Sequence, residues 1–389
     1  MSRDSLTDRD SVISTLAQSP CVETKAATCT SRTNLSTSRL KLNMLESGIV
    51  TMRIAVIGAG AIGSIIGGLL SRAGEDVTLV GRKAHVDAIN RIGLVLDASG
   101  ERTVVQVEAA ENLDFKPDLA LLTAKTQDVE SSVRRAQSFL SSALIVTTQN
   151  GVQSDDIVAG ILGKENIVSG VVLYNCEFLE PGRVSYSKLL STTALTIGEP
   201  FGVKGNRLQS LLALFNRALP TDISQDISGA HWTKLLWNLI TAVPAVTGLS
   251  YQEGGRHPQI RELNVKLTKE GLELVRTAGI RTAPVPGLPL SVLETMANMP
   301  LAEASSMMKN ISESLGKTPA LGSMLQSIKR GRSTEVDYMN GEIVNLGKNK
   351  GIPTPVNSLI VGLVHEVETT GRFLTPDELA QRSSHSLPS

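Results

Sequence analysis

The chain holds 389 residues with 38 basic and 38 acidic side chains, and 41% of it is hydrophobic. That length and balance predict a globular protein of two or three domains, and they exclude a basic field for nucleic acid or an anionic membrane. No apolar run approaches the ~20 residues of a membrane span. Three cysteines (Cys21, Cys29, Cys176) are too few for a disulfide framework, and five scattered histidines (His85, His231, His257, His365, His385) lack metal-ligand spacing. The expectation is a cytoplasmic protein in a reducing setting, with no metal, no nucleic acid and no membrane partner.

Residues 1–51 are dense in Ser and Thr, as in Thr28-Cys29-Thr30-Ser31-Arg32-Thr33, and lack apolar periodicity. They read as a disordered extension ahead of Met52, without the apolar centre of a secretory signal. Lys25, Arg32, Arg39 and Lys41 give a faint transit-peptide cast, which Asp4, Asp8, Asp10 and Glu23 oppose.

From Met52 the pattern becomes regular. Arg53-Ile54-Ala55-Val56-Ile57 is a short apolar run met at once by glycines, which suits a buried parallel strand. A helix is expected over 62–72, ended by Ala73-Gly74, and further strands over 77–80, 119–123 and 143–147. A crossover helix over 127–141 completes the alternation, which implies a parallel sheet with helices on its faces. Gly58-Ala59-Gly60-Ala61-Ile62-Gly63 sits between the first strand and the first helix and matches G-x-G-x-x-G. In that context the glycines allow a tight turn and close approach to a pyrophosphate, and the helix N-terminus offers free N–H groups to it. After the second strand a binder of NAD carries an acid for the ribose hydroxyls. Here Gly81-Arg82-Lys83 follows, and Arg82, with Lys83 adding charge, suits the 2′-phosphate of NADP(H).

Pro220-Thr221-Asp222 reads as a turn and linker. Beyond it helices are expected over 230–242, 257–279, 289–297, 300–315, 320–330, 334–349 and 357–369. The chain is therefore read as α/β. A Rossmann-type dinucleotide-binding domain (52–221) precedes an all-helical domain (222–375), and a polar, frayed tail (376–389) ends it. Lys234 and Asn238 share a helix face at i,i+4 spacing, which by itself describes an ordinary solvated pair. Glu335 and Asp337, after Ser333-Thr334, could equally be acids complementing a helix N-terminus.

Several separated motifs converge on one resemblance. They are the opening strand and glycine loop, Leu122-Thr123-Ala124-Lys125, Gln149-Asn150-Gly151, and Trp232-x-Lys234-x-x-x-Asn238. Ser323-Met324-Leu325-Gln326, Thr334-Glu335-Val336-Asp337-Tyr338-Met339-Asn340-Gly341 and Gly351-Ile352-Pro353-Thr354-Pro355-Val356-Asn357 complete the set. From Met52 to about residue 370 the chain resembles the ketopantoate reductases (2-dehydropantoate 2-reductases). The resemblance implies NADPH-dependent reduction of a 2-oxo acid to a 2-hydroxy acid, with 2-dehydropantoate, in pantothenate synthesis, as the leading substrate. It implies Lys234 as catalytic acid and Glu335 at the reaction centre and the cofactor. Asn238, Ser323 and Asn150 would contact substrate, and Lys125 and Asn150 the cofactor. An ordinary lysine pKa near 10.4, supported by Glu335, would keep Lys234 charged.

One position departs from the family. Its second Asn, one turn after the first, is Ala242 here, and Gln252 is a candidate replacement amide. Two other readings follow: a paralogue reducing a different 2-oxo acid, and a non-catalytic NADP(H)-binding sensor. Retention of Lys234, Asn238, Ser323 and Glu335 opposes the sensor, which needs only the glycine loop. The expected assembly is a monomer or a homodimer.

Overall fold

Apolar runs bounded by glycine build the first half around an open sheet. The computed structural model describes residues 52–187, 193–203 and 205–386, so the extension read over 1–51 lies outside the described residues. β1 (Arg53–Ile57), α1 (Ala61–Arg72), β2 (Asp76–Val80), α2 (Lys83–Ile92), β3 (Leu94–Ala98) and β4 (Glu101–Val105) come first. β5 (Glu108–Ala110), β6 (Leu119–Leu122), α3 (Thr126–Leu140), β7 (Leu144–Thr147), α4 (Ser154–Leu162) and β8 (Ile167–Val172) follow. β9 (Cys176–Glu180), β10 (Arg183–Tyr186), β11 (Leu195–Gly198), α5 (Arg207–Asn216) and β12 (Thr221–Ile223) close this half.

Among the described residues eight strands pair in the order β12-β11-β8-β7-β6-β1-β2-β5, and every step is parallel except β8–β11. β6 and β7 are buried along their whole length, as parallel strands with covered faces must be. A second sheet, β4-β3-β10-β9, was not anticipated from the sequence. Its Leu94, Leu96 and Val184 share a core with Ile65, Ile66 and Leu69 of α1.

The second half is helical: α6 (Ile227–Asn238), α7 (Ala242–Thr247), α8 (Tyr251–Gly254), α9 (Pro258–Thr277) and α10 (Leu290–Asn298). α11 (Leu301–Ser314), α12 (Ser323–Lys329), α13 (Asn340–Lys350), α14 (Pro355–Thr370) and α15 (Pro376–Ser386) follow.

The structure corrects four local readings. The supposed linker at Pro220-Thr221-Asp222 enters β12, an edge strand beside β11, because Asn216 braces Thr221 through both its amide and its carbonyl. The helix expected over 230–242 starts earlier, where Asp226 accepts from Gly229 N at 2.9 Å, and ends at Asn238. A 3-10 turn over Leu239–Thr241 then re-aims the chain into α7. The helix expected over 334–349 begins only at Asn340. Residues 333–335 stay out of it because Thr334 N donates to Glu368 (2.6 Å) and Glu335 reaches across to α3. Finally, the tail read as frayed forms α15, started by a reciprocal Thr375–Glu378 cap (2.9 and 3.2 Å) and anchored by buried Leu379.

Close approach of α1 to the sheet depends on Gly63. A Cβ there would stand 2.4 Å from Thr123 Oγ1 and 2.6 Å from the Gly58 carbonyl. Gly63→Ala is therefore expected to lower stability by about 1–3 kcal/mol, the usual cost of overpacking. Chemical denaturation of the cofactor-free protein checks this, and an unchanged midpoint would contradict it.

Candidate active site

The glycine loop turns at Gly58, whose φ of +106° only glycine adopts easily, and a Cβ there would meet Ala124 N at 2.3 Å. Gly58 N and Ala59 N both donate to the Val80 carbonyl (3.0 and 2.9 Å), which ties the loop to the end of β2. α1 starts at Ala61 with Gly60 as a cap that brings no side-chain bond, so Ala61, Ile62 and Gly63 present first-turn N–H groups. Above Gly60 the space is open: a Cβ would find only the Gly58 carbonyl, at 3.8 Å. This cradle fits a dinucleotide pyrophosphate.

Arg82 follows β2 after Gly81 and is exposed. Lys83 does not join it, because its ammonium turns to Asp87 (3.2 Å) and Glu111 (3.8 Å). The positive charge beside Arg82 comes instead from the helical half. Arg332 is held below the usual guanidinium value by burial, then by the charges of Arg82 and Arg330. Like charges gathered from separate segments favour an anion beside them.

The ends of β6 and β7 carry the next groups. Lys125 Nζ donates to Ser327 Oγ and to the Ser333 carbonyl, both at 2.7 Å. Burial lowers its pKa, opposed by Glu335. Ser327 in turn donates to the Ser323 carbonyl (3.0 Å), so exposed Ser323, at the start of α12, is linked to Lys125 through one hydroxyl. Thr126 Oγ1 reaches the Asn150 carbonyl at 3.0 Å and Glu335 Oε1 at 3.2 Å, and Thr126 N donates to the same oxygen at 3.1 Å. Buried Glu335 thus caps α3 from the other half of the protein.

Lys234 and Asn238 lie one turn apart on α6, both half-buried. Burial lowers the Lys234 ammonium to about 8, against the opposing pull of Glu335 and then Cys176. The sequence-based value near 10.4 is corrected accordingly: desolvation outweighs the neighbouring carboxylate. Ala242 is fully buried in an apolar cluster with Val246, Met324 and Val364, because the 3-10 turn carries it off the face that holds Lys234. Gln252 is no substitute amide. It donates to the Gly316 and Thr318 carbonyls (3.2 and 2.8 Å) and accepts from Ala320 N (2.9 Å).

Lys125, Asn150, Glu335 and Lys234 are thus joined by bonds or mutual fields, and Ser323 borders them. Sequence reasoning missed Thr126, Ser327, Cys176, Arg330 and Arg332. The basic pair flanking Gly331 was the one local signal available. Among the described residues no group of His, Cys, Asp and Glu could hold a metal, and no helix is long and apolar enough to cross a membrane.

Residues 54–200 match the family described as ketopantoate reductase PanE/ApbA, and residues 226–368 match its C-terminal region. The 2-dehydropantoate 2-reductase of Pyrococcus abyssi is 31% identical over 315 residues, covering 80% of this chain and 97% of that one. The chain belongs to the ketopantoate reductase family. It is an oxidoreductase dependent on a nicotinamide dinucleotide, which removes the sensor reading. A PanE/ApbA family ketopantoate reductase from Ralstonia eutropha JMP134 superimposes with a TM-score of 0.68 at 29% identity, covering 82% of this chain and 99% of that one. A D-mandelate dehydrogenase with NADH and anilino(oxo)acetate shares the fold, with a TM-score of 0.71 at 22% identity over 82% of this chain and 99% of its own.

Proposed function

We propose that this protein reduces a 2-oxo acid to its 2-hydroxy acid with NADPH, with 2-dehydropantoate as the leading substrate. The observation that carries the reading is Lys234, a half-buried ammonium within the field of Glu335, whose carboxylate is bonded to Thr126 after β6. A nicotinamide, when bound, supplies a hydride to the carbonyl carbon. Lys234 then stabilises the negative charge on the carbonyl oxygen and delivers a proton to it from Nζ. Glu335 keeps Lys234 charged against its burial. Asn238, one turn along the same helix, and Asn150 orient the substrate, while Ser323 holds its far end. Gly58 to Gly63, Lys125 and Asn150 hold the cofactor, with Glu335 beside it. Arg82 reads the 2′-phosphate, and Arg330 and Arg332 strengthen the field there. The second reading, another 2-oxo acid as substrate, draws no support from Ala242, which lies in the apolar core off the face that holds Lys234.

Arg82→Ala is expected to weaken NADPH by roughly 1–3 kcal/mol and to leave NADH nearly unchanged. Calorimetric titration of both cofactors checks it, and equal losses would remove Arg82 from the choice. NADPH oxidation across a panel of 2-oxo acids then separates 2-dehydropantoate from its rivals.

The pH dependence has a definite sign. Reduction consumes the ammonium form, so kcat should hold a plateau at low pH and fall as pH rises through about 8. Lys234→Ala should lose about 10²–10⁴ in kcat, and that limb of the profile with it. A variant with near-normal kcat contradicts the assignment.

A further inference from the structure

We infer that Glu368 and His365 of α14 are positioning residues that grip the chain on both sides of Glu335 and so hold its carboxylate on Thr126; this rests on the reading of the reaction given above. On one side of Glu335, Thr334 N donates to Glu368 Oε1 at 2.6 Å. On the other, Asp337 Oδ1 stands 3.0 Å from His365 Nε2. His365 Nδ1 lies 3.1 Å from Glu368 Oε2, so the two grips are joined on one face of α14.

The helix is a firm base for them. Its Ile360, Leu363 and Val364 share an apolar cluster with Val336 and Met339, from the same stretch of chain as Glu335. From the other half of the protein, Lys125 and Gln127 donate to the Ser333 and Thr334 carbonyls at 2.7 and 3.2 Å. The segment is thus strung between α3 and α14. Buried Glu335 reaches Thr126 N (3.1 Å) only while its backbone is kept in that place. Glu368 and His365 bond to Thr334 and Asp337, not to Glu335 itself, so they act through the backbone. A misplacement of about 1 Å at a reacting centre can cost on the order of 10² in rate.

The proton count favours a charged ring. Carboxylate oxygens only accept, so both ring nitrogens must carry hydrogen for both bonds to form, and a neutral imidazole serves one carboxylate alone. The charged groups facing His365 are Asp337 from the turn after Glu335 and Glu368 from its own helix. Burial lowers the imidazole pKa, but the bonds and charges of Asp337 and Glu368 outweigh it and raise the group above its ordinary 6.5. The double grip is therefore complete below 6.5 and is lost as pH rises through the raised value.

The Thr126 amide reports on the grip from a distance, because Glu368 does not touch it. In hydrogen exchange of the full chain, Glu368→Ala should lower Thr126 protection about 10-fold beyond any change in β7 or α9. Glu368→Gln keeps an oxygen for Thr334 N and should recover most of that protection. A residue that served only general stability would shift all these amides together; that result, or an unmoved Thr126, would overturn the inference. In Glu368→Ala kcat for the best 2-oxo acid should fall about 10-fold, with Glu368→Gln closer to wild type. A second measurement needs no folded Glu368 variant. The His365 imidazole in the wild-type chain should titrate above 6.5 and drop in Asp337→Asn; a wild-type value at or below 6.5 contradicts the grip. Failure of the wild-type protein to reduce any 2-oxo acid contradicts the reading of the reaction instead, and the Thr126 and His365 measurements still decide the grip.

Discussion

A buried carboxylate cannot stay charged without donors and counter-charge, and the arrangement around Glu335 is the answer to that constraint. Its oxygen takes the N–H and hydroxyl of Thr126 at the N-terminus of α3, where the helix field favours an anion. Lys125 and Lys234 lie in its field from opposite halves of the protein. The same contact explains why residues 333–335 are not helical. Folding them into α13 would withdraw the carboxylate from α3 and leave a charge buried without a partner. The segment instead crosses the sheet loops, and Gln127 and Lys125 hold it there through the carbonyls of Thr334 and Ser333.

The electrostatic consequences spread from that point. Lys125 and Lys234 are both lowered by burial, and both are held up by Glu335. Lys234 arrives at about 8, where an ammonium is still present at neutral pH yet yields its proton far more readily than a solvated lysine. Around Arg332 the balance reverses. Burial lowers it first, Arg82 and Arg330 add to that, Asp128 opposes, and Glu177 stands 3.8 Å from Arg330. The group around Lys234 thus holds a readily lost proton and the group around Arg332 gathers positive charge, as the proposed use of NADPH requires.

The sequence made some of this legible for identifiable reasons. β1, the glycine loop and α1 are contiguous, so an apolar run, three glycines and a helical stretch carried the signal. The sheet β4-β3-β10-β9 was hidden because β10 pairs with β3, far away in the chain, and short strands with mixed burial lack a clean period. The family resemblance brought out Lys125, Glu335 and Lys234, but not their partners. Ser327 meets Lys125 across 202 positions and Thr126 meets Glu335 across 209. No local pattern encodes such pairs. The displaced value of Lys234 depends on burial that only the packed helices create. The cap of α15 is the opposite case: Thr375-Pro376-Asp377-Glu378 is a readable start signal that the polar composition of the tail obscured.

The central claim is that Glu335 joins the two halves and helps to keep Lys234 charged against its burial. Nuclear magnetic resonance of lysine labelled with ¹³C at Cε, in the full chain with and without Glu335→Gln, measures it directly. The account predicts a Lys234 titration near 8 in the wild-type protein and a lower one in the variant, because the only change is loss of a carboxylate that favours the ammonium. A wild-type value near that of a solvated lysine, or a value unmoved by Glu335→Gln, would contradict it.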